Sequence, residues 1–139
     1  MSQQPYLKNF LKVRLVTNFE QAKDYYENVL GFQVDGWGHT EIGSNLGFIL
    51  QQARNPEDVR PNAVAGNRAY PNNWSGPECG WDSYFYSDFD GVGQLYDQFK
   101  SNGAIIAYEP QIEQMGDSQW KEFAVKDLDG YVIVFGGGN

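Results

Sequence analysis

Residues able to do chemistry are few in this chain. It has one histidine, His39, and one cysteine, Cys79. His39 falls in a turn-rich stretch and shares a strand face with Glu41, so a two-donor metal site is conceivable there. A lone histidine beside a turn is more often an exposed or hydrogen-bonded structural residue. Cys79 follows Pro77-Glu78, and a neighbouring carboxylate raises a thiol pKa, which argues against an activated nucleophile. Asp88-x-Asp90-Gly91 and Asp127-x-Asp129-Gly130 each resemble a fragment of a calcium loop but lack its further oxygen ligands. A helix cap for the first and a tight hairpin turn for the second account for them better. No Gly-x-Gly-x-x-Gly follows a strand, so no phosphate cradle is expected. Tyr84 and Tyr86 alternate onto one strand face and could donate hydrogen bonds or act as weak acids. Stacking or core packing is the stronger reading for both. Trp37, Trp74, Trp81 and Trp120 lie in or beside loops, where indoles either sandwich a planar ligand or close the edge of a small core.

These side chains need a scaffold, and composition bounds it. The 139 residues suit one domain, and 41% apolar with 20% charged residues describes a folded globular chain. Aromatics at 16% supply ample bulk to bury. A net charge of −8 argues against a nucleic-acid backbone as partner and is compatible with a neutral or cationic ligand, although acidity more often just serves solubility. One cysteine permits no internal disulfide and calls for no oxidising compartment. The N-terminal MSQQPYLKNF has no apolar signal region, and no run approaches a membrane span, so a cytoplasmic location and no membrane partner are expected. Asn73-Trp74-Ser75 matches a glycosylation sequon, a chance match in that setting.

Periodicity places the elements. Leu11 to Val16 alternates like a strand. Asn18 is a candidate N-cap with Gln21 in the capping-box position. Phe19, Ala22, Tyr25, Tyr26, Val29 and Leu30 then form one helical stripe that Gly31 ends. Strands are expected at Phe32–Asp35, Thr40–Ile42 and Leu46–Gln51, divided by Gly36, Gly38, Gly43 and Ser44. The order repeats: a strand over Asp82–Ser87, a helix capped by Asp90 and carrying Val92, Leu95, Tyr96 and Phe99, an Asn102-Gly103 stop, and a strand over Ala104–Tyr108. Another strand contains Phe123 and Val125, then comes a turn at Asp129-Gly130 and a last strand over Tyr131–Phe135. Gly31 and Gly103 stop the two helices at matching points, which is an internal repeat of architecture. Module one spans about 8–52, a linker 53–80 holds four of the six prolines, and module two spans about 81–137. Tyr70, Trp74 and Trp81 suggest that part of the linker packs on something. Glu109–Gln119, with Met115-Gly116-Asp117, reads as a second long loop.

Two stretches carry a resemblance. Asn18-Phe19-Glu20-Gln21-Ala22 through Tyr25-Tyr26-Glu27-Asn28-Val29-Leu30-Gly31-Phe32 is similar to the pattern D-x-x-x-A-x-x-F-Y-x-x-x-L-G-F. Glu122-Phe123-Ala124-Val125-Lys126-Asp127-Leu128-Asp129-Gly130-Tyr131 is similar to F-x-D-P-D-G-Y/N. Both patterns, in this order, resemble the glyoxalase/bleomycin-resistance/dioxygenase (vicinal oxygen chelate) superfamily. The resemblance implies an α+β fold of two βαβββ modules with a shared cleft, usually in a homodimer. Many members hold a divalent metal on four strand positions bearing His, Gln or Glu. Carried over, the first position is Leu11, seven residues before Asn18. The second is Ile49, or Gln51 if the register slips. The third is Tyr84, with Asp82 its same-face neighbour, and the fourth is Val134. Leucine, isoleucine and valine offer a metal no donor, and neutral tyrosine is a poor one.

The same register places Leu11, Val13 and Leu15 in the cleft and Lys12 and Arg14 beneath the helix, where two cations would be costly. Either their stems run to the surface, or the faces are reversed and Arg14 holds an anionic ligand group. The expected function is a metal-independent small-molecule binding protein resembling bleomycin-resistance proteins, in which an acidic, aromatic-lined dimer cleft sequesters a cationic planar antibiotic. No catalytic residue, metal or cofactor is assigned. The ligand-binding candidates are Arg14, Trp37, Ile49, Gln51, Tyr84, Tyr86, Trp120 and Val134. The partner expected is a small molecule, aromatic or cationic, and the assembly a homodimer. The rival is a glyoxalase-type lyase, isomerase or dioxygenase with a divalent metal at a non-standard site. A third reading keeps the fold for partner binding, with a collapsed cleft.

Overall fold

A computed structural model describes residues 5–62, 71 and 80–139. Expectations resting on Tyr70, Trp74, Cys79 and the sequon lie outside those residues. The elements run β1 (Phe10–Val16), α1 (Phe19–Asn28), β2 (Gln33–Val34), β3 (His39–Ile42) and β4 (Leu46–Gln52). After a short 3₁₀ turn (Pro56–Asp58) come β5 (Ser83–Tyr86), α2 (Phe89–Ser101), β6 (Ile105–Met115), β7 (Ser118–Lys126) and β8 (Val132–Gly138). The two sheets have matching orders, β1-β4-β3-β2 and β5-β8-β7-β6. In each the first and last strands of the module pair in parallel and the rest antiparallel. The fold is therefore α+β, two βαβββ modules, as expected. Among the described residues no helix is long and apolar enough to cross a membrane.

Local chemistry explains the helices. The Asn18 side chain accepts from Gln21 N, which satisfies one of the orphan donors at the start of α1. Gln52 Oε1 takes a second, from Phe19 N at 3.0 Å. The cap of α2 is Asp88, accepting from Gly91 N, not Asp90, which stands in the first turn near the positive end of the helix dipole. Both helices are left through a glycine with positive φ, Gly31 at 76° and Gly103 at 88°, a conformation that costs other residues strain. Within α2, a Cβ on Gly93 would meet only the flexible Lys121 Nζ, at 3.4 Å. Gly93→Ala is thus expected to raise stability by about 0.5–1 kcal/mol through lower unfolded-chain entropy, read as a higher midpoint in urea unfolding.

The loop expected over Glu109–Gln119 is instead the outer half of a β-hairpin. Strands β6 and β7 stay paired out to Met115 opposite Ser118. Every residue from Gln111 to Asp117 is exposed, so no face of this arm is apolar enough to announce a strand. The short β2 pairs with β3 through only Gln33–Glu41 and Val34–Thr40.

One core spans both modules. Tyr26, Phe32 and Phe48 under α1 form a continuous buried cluster with Phe99, Phe123 and Phe135 around α2. Phe85 bridges them, edge-on to Phe32 at 6.1 Å and Phe48 at 5.8 Å and stacked on Phe135 at 5.2 Å. Such ring pairs add about 0.5–1.5 kcal/mol each beyond their buried area. Polar bonds stitch the same seam. Tyr25 Oη donates to Lys126 O at 2.6 Å, and Tyr131 Oη donates to Leu15 O at 2.7 Å. The Thr17 hydroxyl donates to Asp129. The Asp127–Gly130 turn makes the hairpin expected of it and also clasps the first module, since Asp127 Oδ2 accepts from Tyr26 Oη at 2.7 Å.

Candidate functional site

Each sheet has one face under its helix and one face turned away, and strand alternation decides which side chains go where. In β1, Arg14 and Val16 point under α1 while Leu11, Val13 and Leu15 take the open face. Cross-strand pairing adds Gly47, Ile49 and Gln51 of β4 and His39 and Glu41 of β3 to that open face. His39 and Glu41 do share a face. Asp35 organises the approach to it. Its Oδ1 accepts from Trp37 N and His39 N, both at 2.9 Å, and its Oδ2 lies 2.8 Å from His39 Nδ1. Slight burial raises the Asp35 pKa, but these His39 and Trp37 donors outweigh it and hold the carboxyl below its ordinary range. Trp37 at the tip of this turn is 84% exposed.

The open face of the second sheet is filled differently. Tyr84 of β5, Glu122 of β7 and Tyr108 of β6 meet there with Trp81 and Trp120. Glu122 is only 8% exposed. Its Oε1 accepts from Tyr84 Oη at 2.7 Å and Trp120 Nε1 at 3.1 Å, and its Oε2 accepts from Tyr108 Oη at 2.8 Å. Trp81 Nε1 donates to Tyr108 Oη at 3.1 Å. A buried carboxylate is tolerable only when paired or hydrogen-bonded, and three aromatic donors meet that need. Burial, and then the Glu122 carboxylate, push the Tyr84 hydroxyl well above the usual phenol range, so it remains a protonated donor. Gly136 of β8 makes room. A Cβ there would lie 2.3 Å from Tyr84 Oη and 2.9 Å from the Trp120 ring. The rings form a connected wall: Trp81–Tyr84 at 5.1 Å, Tyr84–Tyr86 at 5.0 Å and Tyr86–Trp120 at 5.9 Å.

The structure sorts the sequence candidates into three groups. Tyr84, Tyr86 and Trp120 come together on the second sheet, with Tyr86 73% exposed at the rim. Ile49 and Gln51 lie on the open face of the first sheet, and Trp37 projects from the turn beside it. No hydrogen bond or ring contact of the described residues joins these two groups. Val134 and Arg14 depart from the expectation. Val134 is on the open side but fully buried beneath the cluster containing Trp81, Tyr84 and Tyr108, so it presents no surface to a ligand. Arg14 is under α1 and 3% exposed, so β1 does not have its faces reversed and Arg14 cannot hold a ligand group on the open face. Its guanidinium is sandwiched instead, 4.1 Å from the Phe48 ring centroid and 4.4 Å from that of Tyr131, with Nη1 donating to Tyr26 Oη at 3.4 Å. Lys12 follows the other course: it is exposed, and Nζ donates to Asp82 O at 2.9 Å.

Sequence reasoning did not single out Glu122. The signal was available: Phe123 and Val125 must face the helix, so Glu122 between Trp120 and Ala124 must face the other way. Leu11, Ile49, Tyr84 and Val134, the four strand positions that carry metal ligands in the resembled superfamily, do not fit a metal here. Three lack a donor, and Tyr84 Oη is already bonded to Glu122 and Trp120. Asp82, beside them, has Oδ1 bonded by Asn62 N at 2.7 Å and Oδ2 by Val132 N at 2.8 Å. Among the described residues no three His, Cys, Asp or Glu side chains are grouped to hold a metal ion.

Solved structures share this architecture. A glyoxalase/bleomycin resistance protein/dioxygenase from Alicyclobacillus acidocaldarius aligns with a TM-score of 0.60 at 14% identity, over 94% of this chain and 90% of that one. TioX from Micromonospora sp. ML1 aligns with a TM-score of 0.60 at 16% identity, covering 93% and 98% of the two chains. An integron cassette protein from the mobile metagenome of V. cholerae aligns with a TM-score of 0.57 at 18% identity, covering 96% and 98%. No family model matches the chain. No curated protein matches it.

Proposed function

We propose, from the fold this chain shares with glyoxalase/bleomycin-resistance/dioxygenase structures, that it is a metal-independent small-molecule binding protein for a planar, cationic ligand. The observation that carries the reading is the aromatic wall around the Glu122 carboxylate on an open sheet face. Tyr86 and Trp120 offer ring faces to a planar cation, and the carboxylate beneath them supplies the opposite charge at low dielectric. The first sheet offers the complementary half: an open face with Leu11, Val13 and Ile49 as its apolar groups and Gln51, His39 and Glu41 as its polar ones. Val13 there is 54% exposed. An apolar face awaiting cover would show such exposure. A second copy of the chain, placing that face against the aromatic wall, would close the cleft.

Tryptophan-fluorescence titration tests the ligand class. A bleomycin-type or other cationic planar compound is expected to quench saturably, with affinity falling about tenfold in Glu122→Gln, the size of one charge-assisted contact. Absence of quenching by every cationic planar compound overturns the reading, as does a stoichiometric, tightly bound Zn, Ni, Mn or Fe on metal analysis. Light scattering is expected to return twice the chain mass of 15.8 kDa.

A further inference from the structure

The two modules meet along β1 and β5, which end the strand orders of their sheets among the described residues. The seam is closed at one end by Tyr131 on Leu15 and Asp129 on Thr17, and held midway by Lys12 on Asp82 O. Beyond Lys12 it opens into a groove of about 380 Å³. That volume suits a small-molecule ligand. Its walls are apolar: Phe10, Leu46, Phe48, Phe85, Tyr84 and Tyr86. Phe48 and Phe85 touch edge to face at 5.8 Å and belong to the core, so the floor is fixed, while Phe10 at 79% and Leu46 at 48% exposure form an open rim.

The charged and hydroxyl-bearing residues on this groove, besides its two tyrosines, are Lys12, Ser83 and Asp82. Ser83 lines it, and its Oγ is buried and without a hydrogen-bond partner among the described residues. A buried hydroxyl left unpaired costs about 1–3 kcal/mol, so an acceptor delivered here would be rewarded. Lys12 also lines the groove, and its ammonium bonds one backbone carbonyl and no carboxylate among the described residues. The Asp82 carboxylate, also on the lining, is turned to Asn62 N and Val132 N, which bond its two oxygens, and it makes no ion pair with Lys12. The chain carries a net negative charge. Physiological salt screens charges beyond about a Debye length, so a ligand in the groove meets chiefly the Lys12 ammonium and the amide-bonded Asp82 carboxylate, and of the two only the ammonium has hydrogens left to donate.

We propose that this groove is a second binding site, for a small aromatic carboxylate, with its ring on the Phe48–Phe85 floor and its carboxylate on Lys12 Nζ and Ser83 Oγ. The site shares Tyr84 and Tyr86 with the aromatic wall of the open face, but its other groups, Lys12, Phe48, Ser83 and Phe85, belong to the helix-side faces of their strands. It takes the opposite charge of ligand.

Calorimetric titration of the purified full chain with 2-naphthoate tests it, with 2-naphthamide and 2-naphthylmethylamine as neutral and cationic controls. Saturable binding of 2-naphthoate is expected, with the amine at least about tenfold weaker. Lys12→Gln should weaken 2-naphthoate by about tenfold and leave 2-naphthamide unchanged. Leu46→Trp, at an exposed rim position, should fill the groove and abolish binding of both while circular dichroism stays unchanged. The proposal is overturned by no binding, by equal affinity for amine and carboxylate, or by binding that survives both substitutions. It is also overturned if Leu46→Trp alters the oligomeric mass but not 2-naphthoate affinity, since the groove would then be a contact between copies of the chain. Quenching by a cationic planar compound should be untouched by Lys12→Gln, which alters no open-face residue, so failure here and failure of the open-face reading are distinguishable.

Discussion

Asp127→Ala is expected to lower the free energy of unfolding by about 2–4 kcal/mol, measured by urea denaturation, because it strands three donors at once. Asp127 Oδ1 accepts from Asp129 N and Tyr131 N, both at 2.9 Å, and Oδ2 from Tyr26 Oη at 2.7 Å. The phenol and the Tyr131 amide are buried, so water cannot replace the lost acceptor. The loss is felt across modules, since Tyr26 belongs to α1 and Asp127 to the turn before β8. Asp127→Asn keeps an oxygen for the two amides and should cost less than half as much. The comparison also has a pH signature. Burial pushes the Asp127 carboxyl above the ordinary carboxylate range, outweighing the pull of Tyr26, Tyr131, Arg14 and Asp129. A carboxyl raised in the folded state binds its proton more tightly there than in the unfolded chain. Its contribution is therefore greatest below the unfolded pKa and is lost as pH rises through the folded one. The stability of the native chain relative to Asp127→Asn should accordingly increase as pH falls from neutral through that raised value. A difference that stays flat or decreases would remove Asp127 from the account.

The same residue shows how far sequence carries. Asp127-x-Asp129-Gly130 reads as a turn from four residues, because turn chemistry is local. That its carboxylate also holds Tyr26 from the other module is not local, and nothing between the two positions encodes it. The helices were legible for the first reason: Asn18, the Phe19–Leu30 stripe and Gly31 lie within one short window. The outer hairpin of β6 and β7 was not, because Gln111, Glu113 and Gln114 are as polar as any loop when both faces of a strand meet water. Arg14 posed a contradiction that local rules could not resolve, a cation on a buried face. It dissolves once Phe48 and Tyr131, distant in sequence, supply ring faces on either side of the guanidinium. For the candidate site, Tyr84 and Tyr86 are legible as aromatics on a strand, whereas Trp120 reads as a residue in or beside a loop and lies within β7. Alternation gives the face that Glu122 takes but not the Tyr84, Tyr108 and Trp120 donors that wait there.

Gly136→Ala tests that organising role and is expected to cost about 2 kcal/mol, the scale of overpacking a tight contact. The added methyl would lie 2.3 Å from Tyr84 Oη and 2.9 Å from the Trp120 ring, so both must shift. Displacing them breaks the bonds from Tyr84 Oη and Trp120 Nε1 to Glu122 Oε1. The substitution should therefore change tryptophan emission and abolish binding of a cationic planar ligand, with secondary structure intact. Tyr84→Phe removes the nearest clashing atom and leaves Glu122 its bonds from Trp120 and Tyr108. The double variant should then be less destabilised than the sum of the single variants by about 1 kcal/mol, the non-additivity of groups in direct contact. Additive costs would mean that Gly136 serves the strand backbone alone. Coupled costs mean that an absent side chain on β8 is what lets a tyrosine and a tryptophan close over a buried carboxylate.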